Sequence, residues 1–145
     1  MTIVRIPVTV VCTFVWIGFV CAISFMEAWL KFRAPGITVP LGLGIGRLVF
    51  GALNKVEWIF AIAVLFNLFI HKEIKRLNNI FFFIPVLLLV MQTVWLLPEL
   101  DTRAQLHIDG ADVPPSNLHF WFVGFEVVKT ISLFIFGISL FKTKQ

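Results

Sequence analysis

Three acids and three bases lie inside stretches of this chain that are otherwise apolar enough to enter a lipid bilayer: Glu27, Glu57 and Glu126 against Arg47, Lys55 and Lys129. A charged side chain at the bilayer centre costs about 2.5–3.5 kcal/mol on insertion scales, so such residues face a bundle interior or a wet cavity. These residue types permit three kinds of chemistry. The acids can pair with the bases and lock helices together. Arg47 and Lys129 can hold an anionic group, and Glu57 or Glu126 can serve as general acid or base. Spacing narrows the choice. Arg47, Asn54 and Glu57 are seven and three positions apart and share one helical stripe; His119, Glu126 and Lys129 repeat that pattern, with Thr130 alongside. Lys55 points about a quarter-turn away from Asn54 and is placed to snorkel toward the surface.

Four apolar runs must carry these groups, and they predict an all-α, four-helix antiparallel transmembrane bundle forming a single domain over residues 1–145. The runs are 8–30, 49–70, 80–97 and 118–141, each near the length that spans a hydrocarbon core, and the second helix is expected to start a turn or two ahead of its run. The first is too long for a signal-peptide core and lacks a small-x-small cleavage site, so it is retained as a span, with Trp29, Lys31 and Arg33 as interface anchors. Residues 34–43, with Pro35, Gly36, Pro40 and Gly42, read as an interfacial loop or re-entrant turn. Gly42, Gly44 and Gly46 lack the preceding strand of a phosphate-binding loop and suit close helix packing instead. Pro85 is expected to kink the third helix. Residues 98–117, acidic through Glu99, Asp101, Asp109 and Asp112, read as the longest segment outside the membrane.

Because antiparallel helices reverse the residue count, depth can be compared across them. Glu57 lies eight positions from the start of the second run and Glu126 eight from the start of the fourth, about 12 Å in each case. Gln92 is five positions from the end of the third run and Glu27 three from the end of the first. All four helices therefore bring polar groups into one half of the membrane, while 59–66, 80–90 and 131–136 stay plain. With both termini cytoplasmic, the bases divide into Arg5, Lys72, Lys75, Arg76, Lys142 and Lys144 inside and Lys31, Arg33, Arg47 and Arg103 outside. That places the polar layer in the outer half, in a multi-pass protein of the cell membrane, of the bacterial inner-membrane type.

Composition excludes several classes. With 59% hydrophobic and 14% charged residues and a mean hydropathy of +0.97, the chain exceeds what a small soluble domain can hide. The net charge of +4 sits at the ends of apolar runs, a topology pattern rather than a nucleic-acid surface. Seventeen Phe, five Trp and no Tyr leave no phenol for a mechanism. Cys12 and Cys21, about 13 Å apart along one helix, are too distant for a disulfide. No pair of His at helical spacing and no CxxC points to a metal, and only His119 is placed as a haem ligand. No nucleophile elbow is present. No cofactor and no metal are expected.

Gly18, then Ser24-Phe25, Ala28 and Phe32 at the end of the first span, followed by Gly46-Arg47 and Phe50 opening the second, resemble the small membrane-protein family typified by transmembrane protein 205. Trp29 stands where that pattern would have Pro. The resemblance implies a four-helix membrane bundle and, through distant relatives, a link to copper-handling proteins; it implies no settled activity. The similar-sized membrane protoporphyrinogen oxidases use a His in the first helix, and none is present here. Three functions follow as expectations. One is a polar pocket that binds or moves a small amphiphilic or ionic ligand, formed by Glu27, Arg47, Asn54, Gln92, His119 and Lys129. Another is an intramembrane isomerase or lyase with Glu57 and Glu126 as catalytic acid and base on a lipid-soluble substrate. The third is a structural subunit of a membrane complex, whose partners are lipid and other membrane chains or copies of itself.

Overall fold

The computed structural model describes residues 2–4, 6–74 and 79–143. Four helices in it are long and apolar enough to cross a membrane: α1 (Pro7–Arg33), α2 (Val39–Ile70), α3 (Ile80–Ile108) and α4 (Leu118–Ser139). Burial is inverted relative to a water-soluble protein. Leu48 (77%) and Phe120 (78%) are among the most exposed side chains, whereas Lys129 (0%), Glu126 (1%) and Glu57 (2%) are sealed inside. Apolar exteriors and satisfied polar interiors are what a lipid solvent selects, and the chain is a multi-pass membrane protein built as an all-α bundle.

β-branched residues such as those of Val8–Val15 disfavour an isolated helix in water. In lipid the backbone has no other way to satisfy its own N–H and C=O groups, so the same residues are helical. Proline marks the helix starts: Pro7 lies in the first turn of α1, and Pro40 lies in the first turn of α2 behind a Thr38 cap whose side chain accepts from the Leu41 N–H. Missing N–H groups cost nothing there.

Two boundaries differ from the sequence expectation. Helix α2 begins at Val39, earlier even than the turn or two ahead of residue 49 where the sequence places its start, so the loop expected over 34–43 shrinks to 34–38. The glycines are helical residues that admit neighbours: a Cβ on Gly42 would sit 2.2 Å from Phe32 Cε1, and one on Gly46 would sit 3.3 Å from Lys31 Nζ. Helix α3 continues past Leu97 to Ile108, so half of the segment expected to be loop is helix. It does so through a π-helical turn over Gln92–Leu96, where the Leu97 N–H reaches back to the Gln92 carbonyl. Pro98 falls in the first turn of the helix that resumes at Leu97, where a missing N–H is tolerated. A second π-helical stretch, Cys21–Glu27, widens α1 at a matching depth.

The bundle has two ends. At the terminal end, two three-residue strands, β1 (Thr2–Val4) and β2 (Phe141–Thr143), pair antiparallel with Ile3 opposite Lys142, a ladder absent from the all-α expectation. Above it an apolar core packs Trp16, Val20, Val64, Phe82, Leu133 and Phe136. This half is not wholly plain, since Thr9 Oγ1 donates to Asn67 Oδ1 at 3.0 Å. Helix α4 approaches α1 closely at Gly137, where a Cβ would lie 2.9 Å from Phe14 Cζ. Of the bases assigned to this end, Arg5, Lys75, Arg76 and Lys144 lie outside the described residues.

Candidate functional site

The eight residues singled out in the sequence fall into two tiers toward the far end of the bundle, a sealed knot and an open cleft above it.

The knot is centred on Lys129 of α4. Its ammonium donates to Glu57 Oε2 of α2 at 2.6 Å and to Gln92 Oε1 of α3 at 2.5 Å, and lies 2.8 Å from Glu126 Oε1 one turn back on its own helix. Glu126 is held further by Ser24 of α1, whose Oγ donates to Oε2 at 3.0 Å, and by Gln92 Nε2. All four helices therefore contribute one polar side chain or more, at the shared depth that antiparallel counting indicates. The contribution of α1 is Ser24, not Glu27. The knot combines two carboxylates and one ammonium; among the described residues neither Glu57 Oε1 nor Trp16 Nε1 of the core beneath makes a close hydrogen bond, though the two side chains interact. Gln92 can reach both Lys129 and Glu126 because the π-helical turn it opens turns its side chain inward, where it is 1% exposed.

Glu27 lies higher and pairs with Lys31 at 3.2 Å. The Lys31 ammonium also sits 5.4 Å from the Phe32 ring centroid and 5.3 Å from that of Phe50, a cation–π arrangement for which the bare Gly46 leaves room. Arg47 is not free to meet a ligand with its whole fork. Nε and Nη2 grip both oxygens of Asp101, at 2.5 and 2.9 Å, and Nη1 reaches Gln105. This bidentate clasp fastens the far end of α3 against the start of α2. Asn54 and Trp58 both donate to Thr93 Oγ1, at 3.0 and 2.9 Å. The π-helical turn of α3 thus faces two ways, with Gln92 in the knot and Thr93 at the foot of the cleft.

The cleft encloses about 460 Å³ and is walled by all four helices. Phe32, Leu43, Phe50, Leu97, Leu100 and Phe122 make it mainly apolar; Lys31, Arg47, Asn54, Lys55, Thr93, Asp101 and His119 supply its polar groups. Its size falls within the range of small-molecule sites. Of the sequence candidates, Arg47, Asn54 and His119 line it, Glu27 touches it only through Lys31, and Glu57, Gln92, Glu126 and Lys129 lie beneath it. Ser24, Thr93, Trp58 and Asp101 were not singled out by sequence reasoning. Ser24 and Thr93 are too common in spans to signal a role, and Asp101 sat in a stretch taken for loop. Among the described residues, no group of three His, Cys, Asp or Glu side chains could hold a metal ion. Comparisons of the chain with family models, with curated proteins and with solved structures find no match.

Proposed function

We propose that the protein binds a small amphiphilic molecule in the cleft between its four helices, at the level where head groups meet hydrocarbon. One observation carries this reading: a volume of about 460 Å³ inside a membrane bundle that is apolar on most of its wall and polar along a few side chains. Such a lining suits a ligand that is itself part apolar and part polar. The depth agrees. Helix α2 is 32 residues long, or about 48 Å, against about 30 Å of hydrocarbon. If its last 20 residues span, the clasp of Arg47 with Asp101 stands outside the hydrocarbon and the floor of the cleft within it.

The knot supports the cleft rather than joining it. Glu57 and Glu126 do not line the cavity, which favours binding or transfer of a ligand over acid/base chemistry on it. Gly51 provides the test. It lines the cleft, and a Cβ there meets nothing within 4 Å, so the Gly51→Phe side chain starts in open space and its ring takes up cleft volume. Native mass spectrometry of the protein in mild detergent is expected to show a small-molecule adduct on the wild type and a bare mass for Gly51→Phe. The same adduct on both proteins, or on neither, would refute the reading.

A further inference from the structure

Resting on that cleft, we infer that its ligand carries an anionic head group and that Lys55 is the side chain that pairs with it. The other charged side chains of the cleft and the knot have charge partners within the protein: Lys31 with Glu27, Arg47 with Asp101, and Lys129 with Glu57 and Glu126. Lys55 is exposed, lines the cleft, and has no ion pair or hydrogen bond among the described residues. His119, which lines the same cleft from α4, has none either.

Depth makes the unpaired ammonium costly. With the last 20 residues of α2 in the hydrocarbon, Lys55 lies about one turn, or roughly 6 Å, below the interface. Its stem is long enough to carry the ammonium up to head-group level, and a carboxylate or phosphate held there would neutralise it. The charge sum of the cleft has the same sign. Two of its cations are compensated and its one carboxylate, on Asp101, is occupied by Arg47, so one positive charge is left over. A cationic amphiphile would find no free acid in it.

The test uses probes that share one tail and differ in head: dodecyl phosphate, dodecanol and dodecyltrimethylammonium, with inorganic phosphate as the head alone. Binding is measured by calorimetry on the full chain in nanodiscs of zwitterionic lipid. Dodecyl phosphate is expected to bind the wild type at least tenfold more tightly than dodecyltrimethylammonium. Lys55→Gln should weaken dodecyl phosphate by about tenfold or more, as loss of a charge-assisted hydrogen bond predicts, and leave dodecanol unchanged, with Lys55→Arg restoring most of the loss. Inorganic phosphate binding as tightly as dodecyl phosphate would overturn the assignment to an amphiphile. Equal affinity for the two charged probes, or an unaltered affinity in Lys55→Gln, would overturn the assignment of the head group. Dodecanol binding that Gly51→Phe abolishes would then keep the cleft while rejecting the head group, whereas failure of every tailed probe overturns both.

Discussion

Lys129→Met is the sharpest perturbation available to the knot. The side chain is fully buried and its ammonium serves two carboxylates and one amide at 2.5–2.8 Å. Methionine keeps the length and apolar stem but removes the charge, leaving Glu57 and Glu126 buried with no cation between them. Breaking a buried ion pair from one side costs about 3–5 kcal/mol, which is roughly a 150- to 5,000-fold change in the folded-to-unfolded ratio. Unfolding in mixed micelles of mild detergent and SDS, followed by tryptophan fluorescence, should show a loss of that size. The control is the triple variant Glu57→Gln, Glu126→Gln, Lys129→Met, in which no charge is left to strand. Removing an ion pair entirely is often neutral or stabilising, so the triple variant is expected to regain most of the loss. A Lys129→Met protein within about 1 kcal/mol of wild type, or a triple variant less stable than the single one, would show that Lys129 does not hold this charge balance.

Other substitutions test separate parts of the structure. Asp101→Asn should release the far end of α3, seen as faster amide hydrogen exchange over 97–108 with little change in the global transition. Thr93→Val leaves the Asn54 amide and the Trp58 indole N–H without their shared acceptor. It should cost about 1–3 kcal/mol in the same micelle assay, and a smaller loss than 0.5 kcal/mol would refute the role given to this hydroxyl. Gly137→Val overpacks the contact of α4 with Phe14 and should cost about 1–3 kcal/mol, whereas Gly51→Val, facing open space, should cost less.

The shared depth of Glu57, Gln92, Glu126 and Lys129 was legible because charges inside apolar runs are rare and antiparallel order turns position into height. That held even though α2 begins earlier than its apolar run indicates, since Glu57 and Glu126 are bridged by one ammonium whatever the helix ends do. Glu27 lies outside the knot for a local reason: it reaches Lys31 one turn on, and Ser24 within the π-helical stretch Cys21–Glu27 meets Glu126 instead. Both misplaced boundaries came from treating Gly, Pro and acidic residues as helix breakers. Gly42 and Gly46 are there because Phe32 and Lys31 need their space, Pro40 and Pro98 each lie in the first turn of a helix, and Glu99 and Asp101 are helical residues beyond Pro98. The clasp of Arg47 on Asp101 joins residues 54 positions apart, and no periodicity encodes it. The ladder between the chain ends is likewise a long-range pairing of short segments with no local signal.

The knot also sets an order of events during synthesis. Glu57 and Lys129 are separated by 72 positions, so at about 5–20 residues per second the acid emerges roughly 4–14 s before the lysine that neutralises it. Throughout that interval α2 holds a carboxylate without its final partner. The insertion machinery must shelter it, or let it wait at the lipid boundary, until α4 arrives. A chain stopped short of Lys129 differs chemically from a finished one in that Glu57 lacks the ammonium it pairs with.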